Sequence, residues 1–295
     1  MPKLTKRNLF SIAAVAVLLA IVSCEQLIAK TGSSPAAVFI LAGQSNMAGE
    51  ARVDDAPAKY AALPPNVEFH DFTQGFDYEA HAAWYEASEP REPAQFVYTR
   101  PPGQFGPELG FATALSRTYP NQKFIFIKWA LGGSSQQEWS PNWNASNFAP
   151  DSIEAVRGSL FQQAIQSIKS VDLQQPYKLE ALLWFQGEKD TKTHAAASAY
   201  GDNMEALITA FQNELDAPDL SILIGKINPL TDRHPYVPLV HEQMEKIAAS
   251  DSHIFLVSAD GLSKKEDNVH YDAAGLIELG ERFGDTWITN QADKN

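Results

Sequence analysis

The sequence predicts one α/β domain of three layers over residues 37–290, with helices on both faces of a central, mostly parallel sheet. Three observations carry that expectation. Short β-rich runs recur along the chain. Most are continuously apolar rather than alternating, which suits strands buried on both faces of a parallel sheet. Helical patterns fall between them, and that alternation builds β-α-β units rather than hairpins.

The strand candidates are 37–42 (AVFILA), 66–71, 123–129 (KFIFIKW), 179–185 (LEALLWF), 221–227 (SILIGKI) and 253–258 (HIFLVS). A helix is expected over 151–170, where Ile153, Val156, Leu160, Ala164, Ile165 and Ile168 recur at helical spacing and Asp151 with Glu154 forms a capping box. Residues 196–215 put Met204, Leu207, Ile208, Phe211 and Leu215 on one stripe. Residues 236–249 do so with Leu239, Val240, Met244 and Ile247, and 272–289 with Leu276, Leu279, Phe283 and Trp287. No internal repeat or low-complexity tract is present. Residues 73–105 break the rhythm with Phe76, Tyr78, His81, Trp84, Tyr85, Pro90, Pro93, Tyr98, Pro101 and Pro102, and are expected to form an ordered flap over the sheet edge.

The first residues read as an export signal. Lys3, Lys6 and Arg7 precede an apolar run from Leu9 to Val22 that only Ser11 interrupts, too short for a membrane span and suited to a signal-peptide core. The run ends in Ile21-Val22-Ser23-Cys24, which resembles a bacterial lipobox. The expectation is a signal over 1–23, lipid on Cys24 as a membrane anchor, periplasmic or cell-surface residence, and a tether over 24–36; an ordinary cleaved signal is the alternative. Cys24 is the single cysteine of the chain, so no intramolecular disulfide forms and stability rests on packing. At 44 % apolar and 11 % aromatic content the 295 residues can build a substantial core. The net charge of -13 argues against a nucleic-acid partner, which calls for a basic face.

Ligands of parallel α/β sheets gather at the carboxyl ends of the strands. Three glycine-containing polar segments leave predicted strands: Gly43-Gln44-Ser45-Asn46-Met47, Leu131-Gly132-Gly133-Ser134 and Gln186-Gly187-Glu188-Lys189-Asp190. A fourth, Asp267-Asn268-Val269-His270, precedes the last helix. Together they hold the parts of an acyl-transfer site. Ser45, on a tight turn held by Gly43, is a weak nucleophile until a base takes its proton. His270 can be that base, with Asp267 fixing its tautomer. Oxyanion donors are expected from the backbone N–H of Ser45, the N–H of Gly133 or Gly132, and the side-chain amide of Gln186.

These motifs, with Phe105-Gly106-Pro107-Glu108 at a helix entry and Trp184-x-Gln186-Gly187-Glu188-x-Asp190, resemble those of the sialate O-acetylesterase / acetylxylan esterase branch of the SGNH hydrolases, the sixth carbohydrate esterase family. The resemblance spans 37 to about 288. It implies a flavodoxin-like sheet, a serine mechanism without metal or other cofactor, and an acetylated carbohydrate substrate such as a sialic acid or a xylan. Ser45, Asp267 and His270 match the catalytic positions, and Gln186 stands where other SGNH enzymes carry asparagine. The 73–105 insertion, up to the Phe105 that opens the helix-entry motif, has no counterpart in the resemblance.

Other residues have structural readings. Gln44, Asn46, Glu188 and Asp190 support the site; the two acids hold the Gln186 loop by bonding backbone N–H groups, with a role as acids the alternative. Glu108 is a cap or a buried ion-pair partner. His70, His81, His194, His234, His241 and His253 are surface or structural. Trp139 and Trp143 either stack on a sugar or pack in the core. The alternatives for function are another SGNH activity (lipase, thioesterase, peptidoglycan O-acetylesterase) or a non-catalytic glycan-binding lipoprotein. Met47 two residues past Ser45 disfavours a GxSxG hydrolase, and no His/Asp cluster has metal-ligand spacing.

Overall fold

The computed structural model describes residues 34–76, 97–99, 103–150 and 152–292. Six strands form one sheet: β1 (Ala36–Gly43), β2 (Val67–Asp71), β3 (Phe124–Ala130), β4 (Tyr177–Phe185), β5 (Ser221–Lys226) and β6 (Ile254–Ser258). Their order is β6-β5-β4-β1-β3-β2, and every pairing is parallel. Without the edge strand β2, the remaining five follow the flavodoxin-like order, in which the chain works outward from β1 on one side and then on the other. β1 is therefore the centre, and all eight of its residues are buried.

The helices are α1 (Ser45–Ala48), α2 (Glu108–Thr118), α3 (Ile153–Arg157), α4 (Leu160–Ser170), α5 (His194–Glu214), α6 (Val237–Ser250) and α7 (Ala273–Ala292). α2 packs along α7 on one face; α5 contacts α4 and α6 on the other. The alternation of side chains along each strand sorts the aromatics between the two faces. Phe39 of β1 meets Phe111 of α2 and Trp287 of α7 edge-on, each at 5.0 Å, and Phe126 of β3 at 5.8 Å. On the opposite face Trp139 stands edge-on between Trp129 at 5.1 Å and Trp184 at 5.0 Å. Each buried ring contributes about 1.5–3 kcal/mol of transfer free energy, and each such pair roughly 0.5–1.5 kcal/mol more.

Two expectations change. The helix expected over 151–170 is two helices, because Gly158 adopts φ 76 and stops the first. Ser152 caps α3 by accepting from the Ala155 N–H, and Ser159 restarts the chain by capping α4 through the Gln162 N–H. The capping-box residue Asp151 lies outside the described residues. Of 73–105, the described residues form two small antiparallel pairs: Gln74–Phe76 with Val97–Thr99, and Gln104–Phe105 with Ala51–Arg52. The flap's middle, with His81 and Trp84, and the signal, Cys24 and the tether up to residue 33 also lie outside them. Among the described residues, no helix is long and apolar enough to cross a membrane.

Candidate active site

The four segments meet at the carboxyl edge of the sheet. Ser45 opens α1 rather than sitting in a loop. Its N-cap residue Gln44 is extended, so the chain turns sharply from strand to helix. Gly43 makes that turn possible. Its φ is 150°, and a Cβ there would lie 2.1 Å from the carbonyl oxygen of Phe185 on β4. Only a residue without a side chain lets the two backbones run this close.

Ser45 is buried, with 6 % of its surface exposed. Its hydroxyl lies 2.9 Å from Nε2 of His270, and Nδ1 of His270 lies 2.5 Å from a carboxylate oxygen of Asp267. A carboxylate only accepts, so Nδ1 carries the proton and Nε2 accepts from the serine hydroxyl, a tautomer assigned from the hydrogen-bond network. The other oxygen of Asp267 accepts from the N–H groups of Val269 and His270, both at 2.9 Å. Asn268 takes a left-handed φ of 57 to close that turn, a conformation asparagine tolerates. Burial pushes the Asp267 carboxyl up, but the N–H groups and the imidazole outweigh it and hold it at about 2. The ring is thus oriented by a carboxylate that stays ionised across the working pH range.

Gly132 and Gly133 follow β3. A Cβ built on Gly132 would touch the Ser45 Cβ at 3.7 Å, so this turn lies against the serine. Among the described residues, no acceptor takes the N–H of Ser45, Gly132 or Gly133.

Gln186 departs from the expectation of an oxyanion donor. It is fully buried, and its Nε2 faces Asp190 at 2.5 Å, the Ser134 carbonyl at 3.0 Å and the Gln44 Oε1 at 3.3 Å. An amide has two hydrogens, and three internal acceptors leave none for the cleft. Its contacts make it a brace between the end of β4 and the Gly132–Gly133 loop. Asp190 completes the brace by accepting from the Gln136 N–H at 3.1 Å. Burial pushes the Asp190 carboxyl up to about 7, against the pull of the Gln186 amide and the Gln136 N–H.

The two acids hold the Gln186 loop in different ways. Asp190 takes the Gln136 backbone N–H, as expected, and so ties the Gln186 loop to its neighbour. Glu188 takes the side-chain amide of Asn46 at 2.6 Å. Burial raises the Glu188 carboxyl despite that bond. Gln44, the remaining support residue, accepts from the Gly187 N–H at 3.4 Å.

Three charged residues to which the sequence assigns no role hold the same loop. Glu138, fully buried, accepts from the Ser135 N–H at 2.7 Å and pairs with Arg157 at 3.1 Å and Lys189 at 3.3 Å. Arg157 also donates to the Gly132 carbonyl at 3.5 Å. No local pattern marks them, because the pairing joins α3, the Gln186 loop and the Gly-Gly loop across the fold.

Trp139 is fully buried between two tryptophans, so it packs in the core and cannot stack on a sugar. Trp143 is half-buried against Phe148. Glu108 is the buried ion-pair partner of Lys128, at 2.7 Å. The described histidines outside the triad have structural partners: His70 pairs with Glu68, His253 with Asp251, His234 with Thr231, His194 with Ser198, and His241 with the Ile227 carbonyl. Among the described residues, no three His, Cys, Asp or Glu side chains gather where they could hold a metal ion.

Residues 35–289 match the family described as carbohydrate esterase, sialic acid-specific acetylesterase. The chain belongs to that family. It is a carboxylic ester hydrolase of the carbohydrate esterase class. The probable carbohydrate esterase At4g34215 of Arabidopsis thaliana is 27 % identical over 263 residues, covering 87 % of this chain and 92 % of its own. The crystal structure of that plant protein superimposes with a TM-score of 0.64 at 23 % identity, covering 87 % of this chain and 99 % of its own. NanS gives 0.60 at 15 % identity, with 88 % and 99 % covered. XAC1771, a carbohydrate acetylesterase from Xanthomonas citri, gives 0.56 at 17 % identity, with 84 % and 54 % covered. These superpositions establish the fold of the esterase.

Proposed function

We propose that this esterase removes O-acetyl groups from carbohydrates through an acetyl-enzyme on Ser45. The observation that carries the reading is the hydrogen-bonded relay from Ser45 through His270 to Asp267, beside a turn whose N–H groups have no internal acceptor. His270 Nε2 takes the hydroxyl proton as Ser45 Oγ attacks the acetyl carbonyl, and Asp267 stabilises the imidazolium. The N–H of Ser45 and that of Gly133 or Gly132 receive the oxyanion. The tetrahedral intermediate collapses, the C–O bond to the sugar breaks, and His270 returns its proton to the leaving sugar hydroxyl. Water then attacks the acetyl-enzyme with His270 again as base, releasing acetate and restoring Ser45.

The substrate class rests on the family and on the names of the relatives, and a sialic acid ester or a xylan-type ester both fit it. The test is acetate release, measured in parallel from O-acetylated sialic acid, acetylated xylan and an aryl acetate, by wild type and by Ser45→Ala. Release from a sugar ester that disappears in Ser45→Ala supports the reading. Hydrolysis of the aryl ester alone removes the carbohydrate assignment, and a fully active Ser45→Ala removes the mechanism.

The domain reading, with signal 1–23, tether 24–36 and catalytic domain 37–290, goes with an export proposal: Cys24 carries lipid and anchors the enzyme to a membrane. The lipobox-like Ile21-Val22-Ser23-Cys24 supports it. Metabolic labelling with a fatty acid should mark wild type and leave Cys24→Ser unlabelled. An unlabelled wild type favours the ordinary signal.

A further inference from the structure

Asn46 lies next to Ser45 in α1 and is 2 % exposed. Its Nδ2 donates to the Val269 carbonyl at 3.2 Å, and its Oδ1 accepts from the Tyr271 N–H at 3.1 Å. Val269 and Tyr271 are the residues on either side of His270. One amide attached beside the nucleophile therefore grips the backbone on both sides of the base, more than two hundred residues away in sequence. The grip works in one orientation only. Rotating the amide by half a turn would set a donor against the Tyr271 N–H and an acceptor against the Val269 carbonyl.

Glu188 fixes the orientation. Its Oε1 accepts from Asn46 Nδ2 at 2.6 Å, and a carboxylate has no donor to offer a flipped amide. Glu188 is itself 2 % exposed, at the end of β4, and its Oε2 has no partner among the described residues. A buried carboxylate with an unused oxygen is costly to keep for stability alone, since a well-packed apolar side chain in its place is often neutral or stabilising. The contact is nevertheless made to the one residue that joins nucleophile to base.

We propose that Asn46 and Glu188 are a positioning pair that sets the separation of Ser45 Oγ and His270 Nε2. Neither touches the substrate. Glu188 orients Asn46, and Asn46 seats the His270 turn on α1. The proposal rests on the Ser45 reading above and adds to it two residues whose loss lowers turnover by misplacing the base. A misplacement on the ångström scale costs on the order of 10²-fold in rate.

The test uses Glu188→Met, Glu188→Gln and Asn46→Ala, each with kcat, KM and melting temperature. Glu188→Met replaces the buried acid with an apolar chain of similar length; relief of the buried carboxylate offsets the lost Asn46 bond, so the enzyme should melt near the wild-type temperature. Its kcat should nevertheless fall about tenfold, with KM within about twofold. Glu188→Gln keeps an oxygen for Asn46 and should restore most of that loss. Asn46→Ala removes the grip and should lower kcat by on the order of 10²-fold at similar KM. A merely structural role predicts the opposite pairing, with kcat following stability. If Glu188→Met does not fold, Asn46→Ala carries the test alone. A folded Asn46→Ala or Glu188→Met enzyme with wild-type kcat overturns the proposal, as does Glu188→Gln as slow as Glu188→Met. Ser45→Ala, run alongside, separates the two readings. If it is active, the serine mechanism has failed, and if it is dead while Asn46→Ala is normal, only the positioning pair has.

Discussion

Replacing Gln186 by alanine separates a brace from an oxyanion donor. The side chain is fully buried, and its amide supplies one hydrogen bond to the Asp190 carboxylate and one to the Ser134 carbonyl. A neutral hydrogen bond contributes about 1 kcal/mol and one to a charged group about 1.5–3 kcal/mol. Truncation also leaves a buried cavity and a carboxylate with fewer donors. Gln186→Ala should therefore lose about 3–5 kcal/mol, a large share of the roughly 5–15 kcal/mol that holds a domain folded. At this size each kcal/mol shifts the melting temperature by about 2–4 °C, so the variant should melt about 6–20 °C below wild type. Turnover should fall modestly, by about tenfold, as the Gly132–Gly133 loop loses its anchor. Gln186→Glu should fold worse still, because it sets a second carboxylate against Asp190. Thermal unfolding and initial rates of acetate release on the same preparations make the measurement. A Gln186→Ala enzyme as stable as wild type, slowed ~10²- to 10³-fold at constant KM, would refute this reasoning and return the amide to the oxyanion hole.

Asp267→Asn removes an acceptor held at about 2 and with it control of the imidazole tautomer, so kcat should fall at least ~10²-fold while staying above that of His270→Ala; steady-state rates decide it. Because the folded carboxyl is depressed, its contribution to stability is present above its unfolded value of 3.8 and is lost as pH falls through about 2, and acid unfolding of this variant should lack that component. Asp190 behaves in reverse. Its folded value of about 7 exceeds the unfolded 3.8, so its contribution is present below 3.8 and is lost as pH rises toward 7. Denaturant midpoints should show wild type losing stability relative to Asp190→Asn between those values, by about 4 kcal/mol in all, and parallel curves would contradict the assignment. Gly43→Ala forces a Cβ to within 2.1 Å of the Phe185 carbonyl and should cost about 3 kcal/mol or more, read as a fall in melting temperature or a failure to fold.

Sequence and structure agree where the cause is local or periodic. All six candidate strands form within a residue or two of their expected bounds; most are legible because a strand buried on both faces must be continuously apolar, whereas the edge strand β2 (Val67–Asp71) is half-exposed and carries Glu68 and His70. The site was legible for a related reason. Strand ends are fixed once strands are, and the glycine-rich segments after β1, β3 and β4 have one edge on which to meet. Helical spacing hides the break at Gly158, because apolar residues on both sides keep it; the signal for the break is the pair of serines, Ser152 and Ser159, each placed to cap a short helix. Gln186 differs from its expected role for another reason. Its position in the chain shows that it reaches the sheet edge, but not that Asp190, Ser134 and Gln44 wait there to consume its amide. The Glu138–Arg157–Lys189 network was invisible because its members come from three segments and pair only in the folded chain.

The central claim is that Ser45 carries the acetyl group during turnover. Enzyme mixed with excess aryl acetate, quenched in acid within the first turnover and digested, can be weighed peptide by peptide. The account predicts one acetyl increment on the peptide containing Ser45, formed by wild type, absent from Ser45→Ala and from His270→Ala, and lost when the unquenched enzyme is left to hydrolyse it. Acetate release at a normal rate with no acetyl on that peptide, or with the acetyl on another residue, would contradict it.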